Sequence, residues 1–283
     1  MQQERVADRV YYFQSDIYAQ VTAGIVAGPD MAVLIDTLLP EESLQIRRFV
    51  ERELEVPIKY VINTHYHADH TWGNAVFPDA IIIAHQKCYE LQKEKGLPSF
   101  KAEQKRNSQL AGLTLRLPQI TFNEGAFKLE VGKKRLELVH LPGHSADNIG
   151  VLLEEDRVLF SGDTFMPLPY LVDGDIEDML NSLKVISKMG LENLVPGHGD
   201  IVLRGEIDDA VKENQDYLSN IRKEVRKAGR LKYPLDHLET VTVEDMGKSR
   251  VLIGGLAEEL HNINMTVLYR QLYQKSPEGS ELS

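Results

Sequence analysis

Three imidazoles and a carboxylate fall within six positions in the run Thr64-His65-Tyr66-His67-Ala68-Asp69-His70. Neutral imidazole is the commonest protein ligand for metals and suits zinc and iron alike. The run follows directly on apolar Tyr60-Val61-Ile62, which reads as a strand that delivers these side chains onto a loop at a sheet edge. Along an extended segment residues two apart point the same way, so His65 and His67 can grip one ion together. Asp69 and His70 are then free to grip a second. A solvated loop that happens to be histidine-rich is the plain alternative, and such a density of ligand types in one loop argues against it.

Three later loops repeat the arrangement. Val139-His140-Leu141-Pro142-Gly143-His144-Ser145 places His144 just after a strand, beside a glycine that allows close backbone approach. Leu159-Phe160-Ser161-Gly162-Asp163-Thr164 does the same for Asp163, and Leu194-Val195-Pro196-Gly197-His198-Gly199 for His198. One histidine after a strand is usually structural; several strand-end loops added to a dense cluster are better explained by function carried on a rigid scaffold. The ligand count suits two metals. His65, His67 and His144 form one set, Asp69, His70 and His198 the other, with Asp163 bridging. Three protein ligands with a position left open is the pattern of catalytic rather than structural zinc. His85, His140, His237 and His261 lack this context and read as ordinary core or surface residues.

Around these loops the chain reads as strands near Val10 to Phe13, Ala19 to Ala27, Met31 to Ile35 and Ala80 to Ala84. Further strands are expected over Phe127 to Val131, Arg135 to Leu141, Asn148 to Leu153 and Arg157 to Ser161. Gly28-Pro29-Asp30 predicts a tight antiparallel hairpin. A helix is expected from Pro40 through Leu54, with proline at its start and acids in its first turn. Asp178 to Met189 has helical apolar spacing. Residues 86–117 look polar and irregular, with helix-like composition near Gln86 to Lys95, a solvated insertion in preference to a substrate lid. Glu206 to Lys227 is an amphipathic helix with acids first and bases last. Two more helical stretches follow, Leu252 to His261 and Asn264 to Tyr273, and Ser276 to Ser283 reads as a frayed end. We therefore expect a catalytic domain over 1–205 with a helical extension, 206–283, packed on it. Those helices are available to cover the core, lid the site or pair two chains into a homo-oligomer.

The 283 residues are 42% hydrophobic and 27% charged, an ordinary globular balance. A net charge of -11 argues against nucleic acid as a partner, and leaves a small molecule as the expected substrate. The one cysteine, Cys88, excludes an intramolecular disulfide and a thiolate-rich zinc site. It reads as a small helix residue. Met1-Gln2-Gln3-Glu4-Arg5 shows no signal-peptide pattern, and no apolar run is long enough for a bilayer, so no membrane is expected and the cytoplasm is the expected compartment.

His65-Tyr66-His67-Ala68-Asp69-His70, followed in order by His144, Asp163 and His198, resembles the signature of the metallo-β-lactamase-fold hydrolases, over roughly residues 8–205. The resemblance implies an α/β fold, a four-layer αβ/βα sandwich with a dinuclear site along one edge. It also implies a metal-dependent hydrolase that attacks a lactam, lactone, ester or thioester with a hydroxide between two divalent ions. Zinc is the first choice of metal, with iron or manganese also suited. Asp69 would hold a metal and orient the hydroxide; Asn148 would sit near the substrate carbonyl as an oxyanion donor. The wording Pro142-Gly143-His144-Ser145-Ala146-Asp147-Asn148 is similar to true β-lactamases. Two positions depart from them: Asp163 stands where their closest di-zinc type carries cysteine, and Thr164-Phe165-Met166-Pro167 lacks the lysine that follows. A mononuclear-iron sulfur dioxygenase, and further off a nuclease or phosphodiesterase, are the rival readings within the same fold.

Overall fold

The computed structural model describes residues 1–125 and 127–274; Ser276 to Ser283 lie outside them. Seven strands form one sheet in sequence order: β1 (Gln2–Ala7), β2 (Val10–Gln14), β3 (Thr22–Ala27), β4 (Ala32–Ile35), β5 (Ile58–Ile62), β6 (Ile81–His85) and β7 (Ile120–Phe122). The first four pair antiparallel, with β3 and β4 joined as the expected hairpin; β4 to β7 pair parallel. The second sheet runs in the order β13 (Val202–Leu203), β12 (Asn193–Val195), β11 (Val158–Phe160), β10 (Ile149–Leu153), β9 (Lys134–His140), β8 (Phe127–Val131).

The period of two along each strand builds four layers. Val33, Ile35, Ile62 and Ile83 from the first sheet meet Leu138, Ile149, Val151 and Phe160 from the second in a buried core between them. Leu34, Val61 and Ile82, one residue out of phase, face the other way onto Ile46, Val50 and Leu54 of the crossover helix Pro40–Phe49 and its wider last turn Val50–Leu54. On the far side of the second sheet, Leu159 and Leu194 pack with the helices Ile176–Ile186, Arg204–Ala228 and Ala257–Tyr273. Their buried residues Met179, Leu183, Val211, Leu218 and Met265 belong to one cluster. This is the α/β sandwich the ligand motif implied.

Several elements differ from expectation. β1 escaped notice because it is a polar, exposed edge strand with no apolar alternation. Residues 86–117 are less irregular than their polarity suggested: Gln86–Leu91, a wide turn Gln92–Gly96 and Leu97–Gln104 run as consecutive helical segments. The C-terminal stretch breaks at Ile253-Gly254-Gly255, three successive left-handed residues, and then continues unbroken from Ala257 to Tyr273.

Asn264 on that last helix ties the extension to the loop before Ile176. Its amide donates to the Pro169 carbonyl (2.7 Å) and to the Tyr217 hydroxyl (3.1 Å), and its Oδ1 accepts from Leu171 N (2.8 Å). Nearby, buried His261 donates from Nε2 to the Val241 carbonyl (3.1 Å), which leaves Nδ1 to accept from the Tyr217 hydroxyl (3.0 Å). Burial holds the His261 pKa below its ordinary value. The unfolded chain therefore takes up this proton first as pH falls through about 6.5, so the contribution is whole above that value and lost below it. Urea unfolding of wild type and His261→Gln at pH 7.5 and 5.0 is expected to show a smaller acid loss in the variant; equal losses would refute the assignment.

Candidate metal centre

The four strand-end loops do converge. His65 and His67 follow β5, His144 follows β9, Asp163 follows β11 and His198 follows β12. His67 Nδ1 lies 3.0 Å from His65 Nε2 and 2.8 Å from His144 Nε2. Asp163 Oδ2 is 3.2 Å from His144 Nε2 and 3.4 Å from His198 Nε2, while Asp163 Oδ1 is 3.2 Å from His70 Nε2. Asp69 Oδ2 completes the second set, 3.4 Å from His198 Nε2. Within each of the two groups, His65-His67-His144-Asp163 and Asp69-His70-His198, the ligand atoms lie within 4.8 Å of one another.

The outer nitrogen of each ring decides what the inner one offers. His144 Nδ1 donates to the Tyr170 carbonyl (2.7 Å) and His198 Nδ1 to the Ala19 carbonyl (2.8 Å). His70 Nδ1 donates to Asp36 Oδ2 (2.8 Å), and His67 Nε2 to Asp173 Oδ2 (3.1 Å). The Thr64 hydroxyl gives its hydrogen to Asp36 (2.7 Å), so it accepts from His65 Nδ1 (3.0 Å). With its outer nitrogen so engaged, each of the five imidazoles turns its other nitrogen inward toward Asp163 and Asp69. Among the described residues, buried His70 Nε2 and Asp163 Oδ1 have no hydrogen-bond partner although they lie 3.2 Å apart. A buried ring nitrogen and carboxylate oxygen left facing each other call for positive charge between them, and the residues present suit a divalent metal.

Electrostatics agree. Burial opposes charge on Asp163, but His198, His70, His144 and His65 outweigh it and hold the carboxyl well below the usual range. Burial also opposes charge on His70, yet Asp163, Asp36 and Asp69 push its pKa well above normal. His144 goes the other way, lowered by burial to about 4, a neutral ligand across the physiological range.

Two glycines let the loops meet. A Cβ on Gly197 would stand 1.9 Å from Asp163 Oδ1, and one on Gly143 (φ +145°) would stand 2.4 Å from Met179 Cα. The seven expected ligands are all brought together. Asn148 is not placed as expected. It is fully buried behind Asp163, its amide donating to Ser161 O (3.1 Å) and the Thr164 hydroxyl (2.7 Å) and its Oδ1 accepting from Asp163 N (3.1 Å). With its hydrogens so committed it cannot meet a substrate oxyanion; it positions Asp163. The cavity in front of the cluster, about 300 Å³, is lined instead by Tyr18, Tyr170, Ile253, Leu256 and Leu260 with the ligands. His85, His140, His237 and His261 stay outside the site; His85 is buried, its Nδ1 accepting from Lys87 N (3.2 Å) at a helix start. Cys88 is buried in the helix Gln86–Leu91.

Sequence reasoning missed Asp36, Asp173 and the two tyrosines. Asp36 had a signal, since Asp36-Thr37 closes β4 as the other ligands close their strands. Asp173 had none, because its loop has no periodic neighbour.

The family model described as "Metallo-beta-lactamase superfamily" matches residues 18–198, which contain all seven ligands. The chain belongs to the metallo-beta-lactamase superfamily. A metallo-beta-lactamase from Pontibacter korlensis shares the fold, with a TM-score of 0.62 at 20% identity over 76% of this chain and 99% of that one. Among relatives, a "Beta-lactamase-like protein 2 homolog" from Caenorhabditis elegans is 26% identical over 75% of this chain and 64% of its own length. "Lactamase-like protein aptB" of Emericella nidulans is 32% identical over 66% of this chain and 52% of its own length. "Thioesterase pkgB" of the same fungus is 30% identical over 60% and 43%. The chain spans about half the length of the curated relatives it matches. Among the described residues of this superfamily member, no helix is long and apolar enough to cross a membrane.

Proposed function

We propose that this protein is a hydrolase with a two-ion centre that cleaves a carboxylic derivative, an ester or thioester before a lactam. One observation carries the reading: two sets of candidate ligand atoms lie side by side at one cavity, with Asp163 within reach of both. His65, His67, His144 and Asp163 would hold one ion, and Asp69, His70, His198 and Asp163 the other. Zinc is the first candidate. Divalent ions there would lower the pKa of water and polarise a carbonyl. Asp69, which faces the cavity through Oδ2, orients the attacking water and holds its proton. Tyr18 and Tyr170 take the donor role that Asn148 cannot. Burial raises the pKa of both, Tyr170 to about 12, so each keeps an O–H at neutral pH to offer a developing oxyanion. The absence of a lysine after Asp163 removes the cation that would hold a lactam carboxylate, and a relative named a thioesterase supports the acyl-transfer reading. We assign this chemistry to residues 1–205, with the helices over 206–274 bracing it and a cytoplasmic small molecule as substrate.

Metal analysis of the purified protein with a panel of thioester, ester, lactone and lactam substrates tests the reading. About two divalent ions per chain and chelator-sensitive hydrolysis are expected. One iron per chain with oxygen uptake, or undiminished hydrolysis after metal removal, would overturn it.

A further inference from the structure

A second and larger cavity opens beside the metal centre. It is about 790 Å³, against about 300 Å³ for the cavity over the ligands, and the two share Tyr18, Ala68 and Asp69. Its walls are the helix Pro40–Phe49, the turn Trp72–Val76 and the segment around Leu110 and Leu113, so the inserted residues after 86 build one side of it. Ile17, Tyr18 and Leu44 lie at this groove while 54%, 52% and 43% exposed. Soluble proteins rarely leave large apolar side chains clustered in this way without a ligand to cover them.

Its charge says which ligand. Arg47 in the wall is already committed, donating to Glu51 (2.8 Å) and to the Val76 carbonyl (3.2 Å). Glu41 and Glu103 line the same groove and repel anions. Asn107 and Gln109 add polar but uncharged groups, so a phosphate or carboxylate finds no uncommitted cation among the lining residues, whereas an uncharged hydrocarbon meets Leu44, Trp72, Leu110 and Leu113. Asp69 belongs to both cavities, so a chain lying in the groove ends at the proposed ions.

We infer that the groove binds the acyl group of the substrate, a long uncharged hydrocarbon chain, and that the enzyme selects for it. This rests on the hydrolase reading above. Each methylene buried contributes about 0.8 kcal/mol, which corresponds to roughly 4-fold in kcat/KM.

The test uses the full metal-loaded chain with two series: thioesters of N-acetylcysteamine from acetyl to dodecanoyl, and acetate esters of alcohols of matching length. The expected result is a rise in kcat/KM with acyl length, at least about 100-fold from acetyl to octanoyl, and little rise with alcohol length. Leu44→Glu and Leu113→Glu should each cut the octanoyl-to-acetyl ratio by about 10-fold or more; Leu44 is exposed enough that its replacement spares the core. A flat acyl series with turnover retained overturns the groove and leaves the hydrolase reading intact. So does a rise with alcohol length alone. If no series is hydrolysed, the hydrolase reading fails, and binding of the uncharged apolar fluorophore N-phenyl-1-naphthylamine decides the groove: saturable binding weakened 10-fold by Leu44→Glu supports it, and none overturns it. Dissociation of a dimer by Leu44→Glu, with the acyl series unchanged, would place a second copy in the groove and overturn the inference.

Discussion

Asp163→Asn is expected to strip the protein of metal and of hydrolytic turnover together while leaving it folded. The side chain keeps its shape, and the Asp163 N–H still donates to Asn148. What changes is that one of the two oxygens becomes an amide, which cannot serve His70 and the first histidine set at once. Among the described residues, Asp163 is the one carboxylate within 3.4 Å of histidines from both groups. Its loss should therefore exceed the roughly 10–100-fold that follows removal of an outer-sphere partner. Atomic emission on the purified variant, with kcat/KM on the best substrate found for wild type, checks this. Two ions retained with near-normal turnover would show that Asp163 does not join the sites.

Asp36→Asn should have the second-largest effect, at a residue that touches neither cavity. The buried carboxylate accepts from Thr64 N (2.8 Å), the Thr64 hydroxyl (2.7 Å) and His70 Nδ1 (2.8 Å). It thereby sets the tautomer of His70 directly and of His65 through Thr64. Asp36 sits at φ +54°, a conformation asparagine also tolerates, so the backbone is kept. The amide can still accept from Thr64 N but no longer from both of the others. We expect metal affinity to fall about 10–100-fold, with a smaller change in stability. Asp36→Ala removes every acceptor and strands buried donors at roughly 1–3 kcal/mol each; it should unfold at visibly lower urea. Competition with a chromophoric chelator measures the first effect and equilibrium unfolding the second. Unchanged affinity in Asp36→Asn would mean that His70 is held by other contacts.

The ligands could be read from sequence because a metal needs particular atoms, and a strand-end loop is the cheapest way to present them. Seven residues at four such ends are brought together by the fold, and the sandwich could be expected from the same letters. The outer shell was less legible for a physical reason. Asp36 and Asp173 act through hydrogen bonds that depend on where separate loops land, and nothing in local spacing encodes that. Asn148 went wrong for a related cause: its position in the chain is close to His144, but its side chain turns into the protein behind Asp163. Within residues 86–117 the helical character near Gln86 to Lys95 was legible, but its continuation over Leu97–Gln104 was not, because a helical segment that covers a site edge can be polar on most of its surface and still be regular.

Asn264 gives the C-terminal helix a say in the metal centre. By gripping Pro169 O and Leu171 N it fixes the peptide on either side of Tyr170, whose carbonyl orients His144. Ligand geometry at residue 144 and the docking of a helix more than a hundred residues later are therefore coupled, and coupling of free energies runs equally in both directions. A cation that prefers the aligned imidazole must favour the docked helix by the same amount. The helix Ala257–Tyr273 would, in that sense, be part of a bound metal's affinity constant.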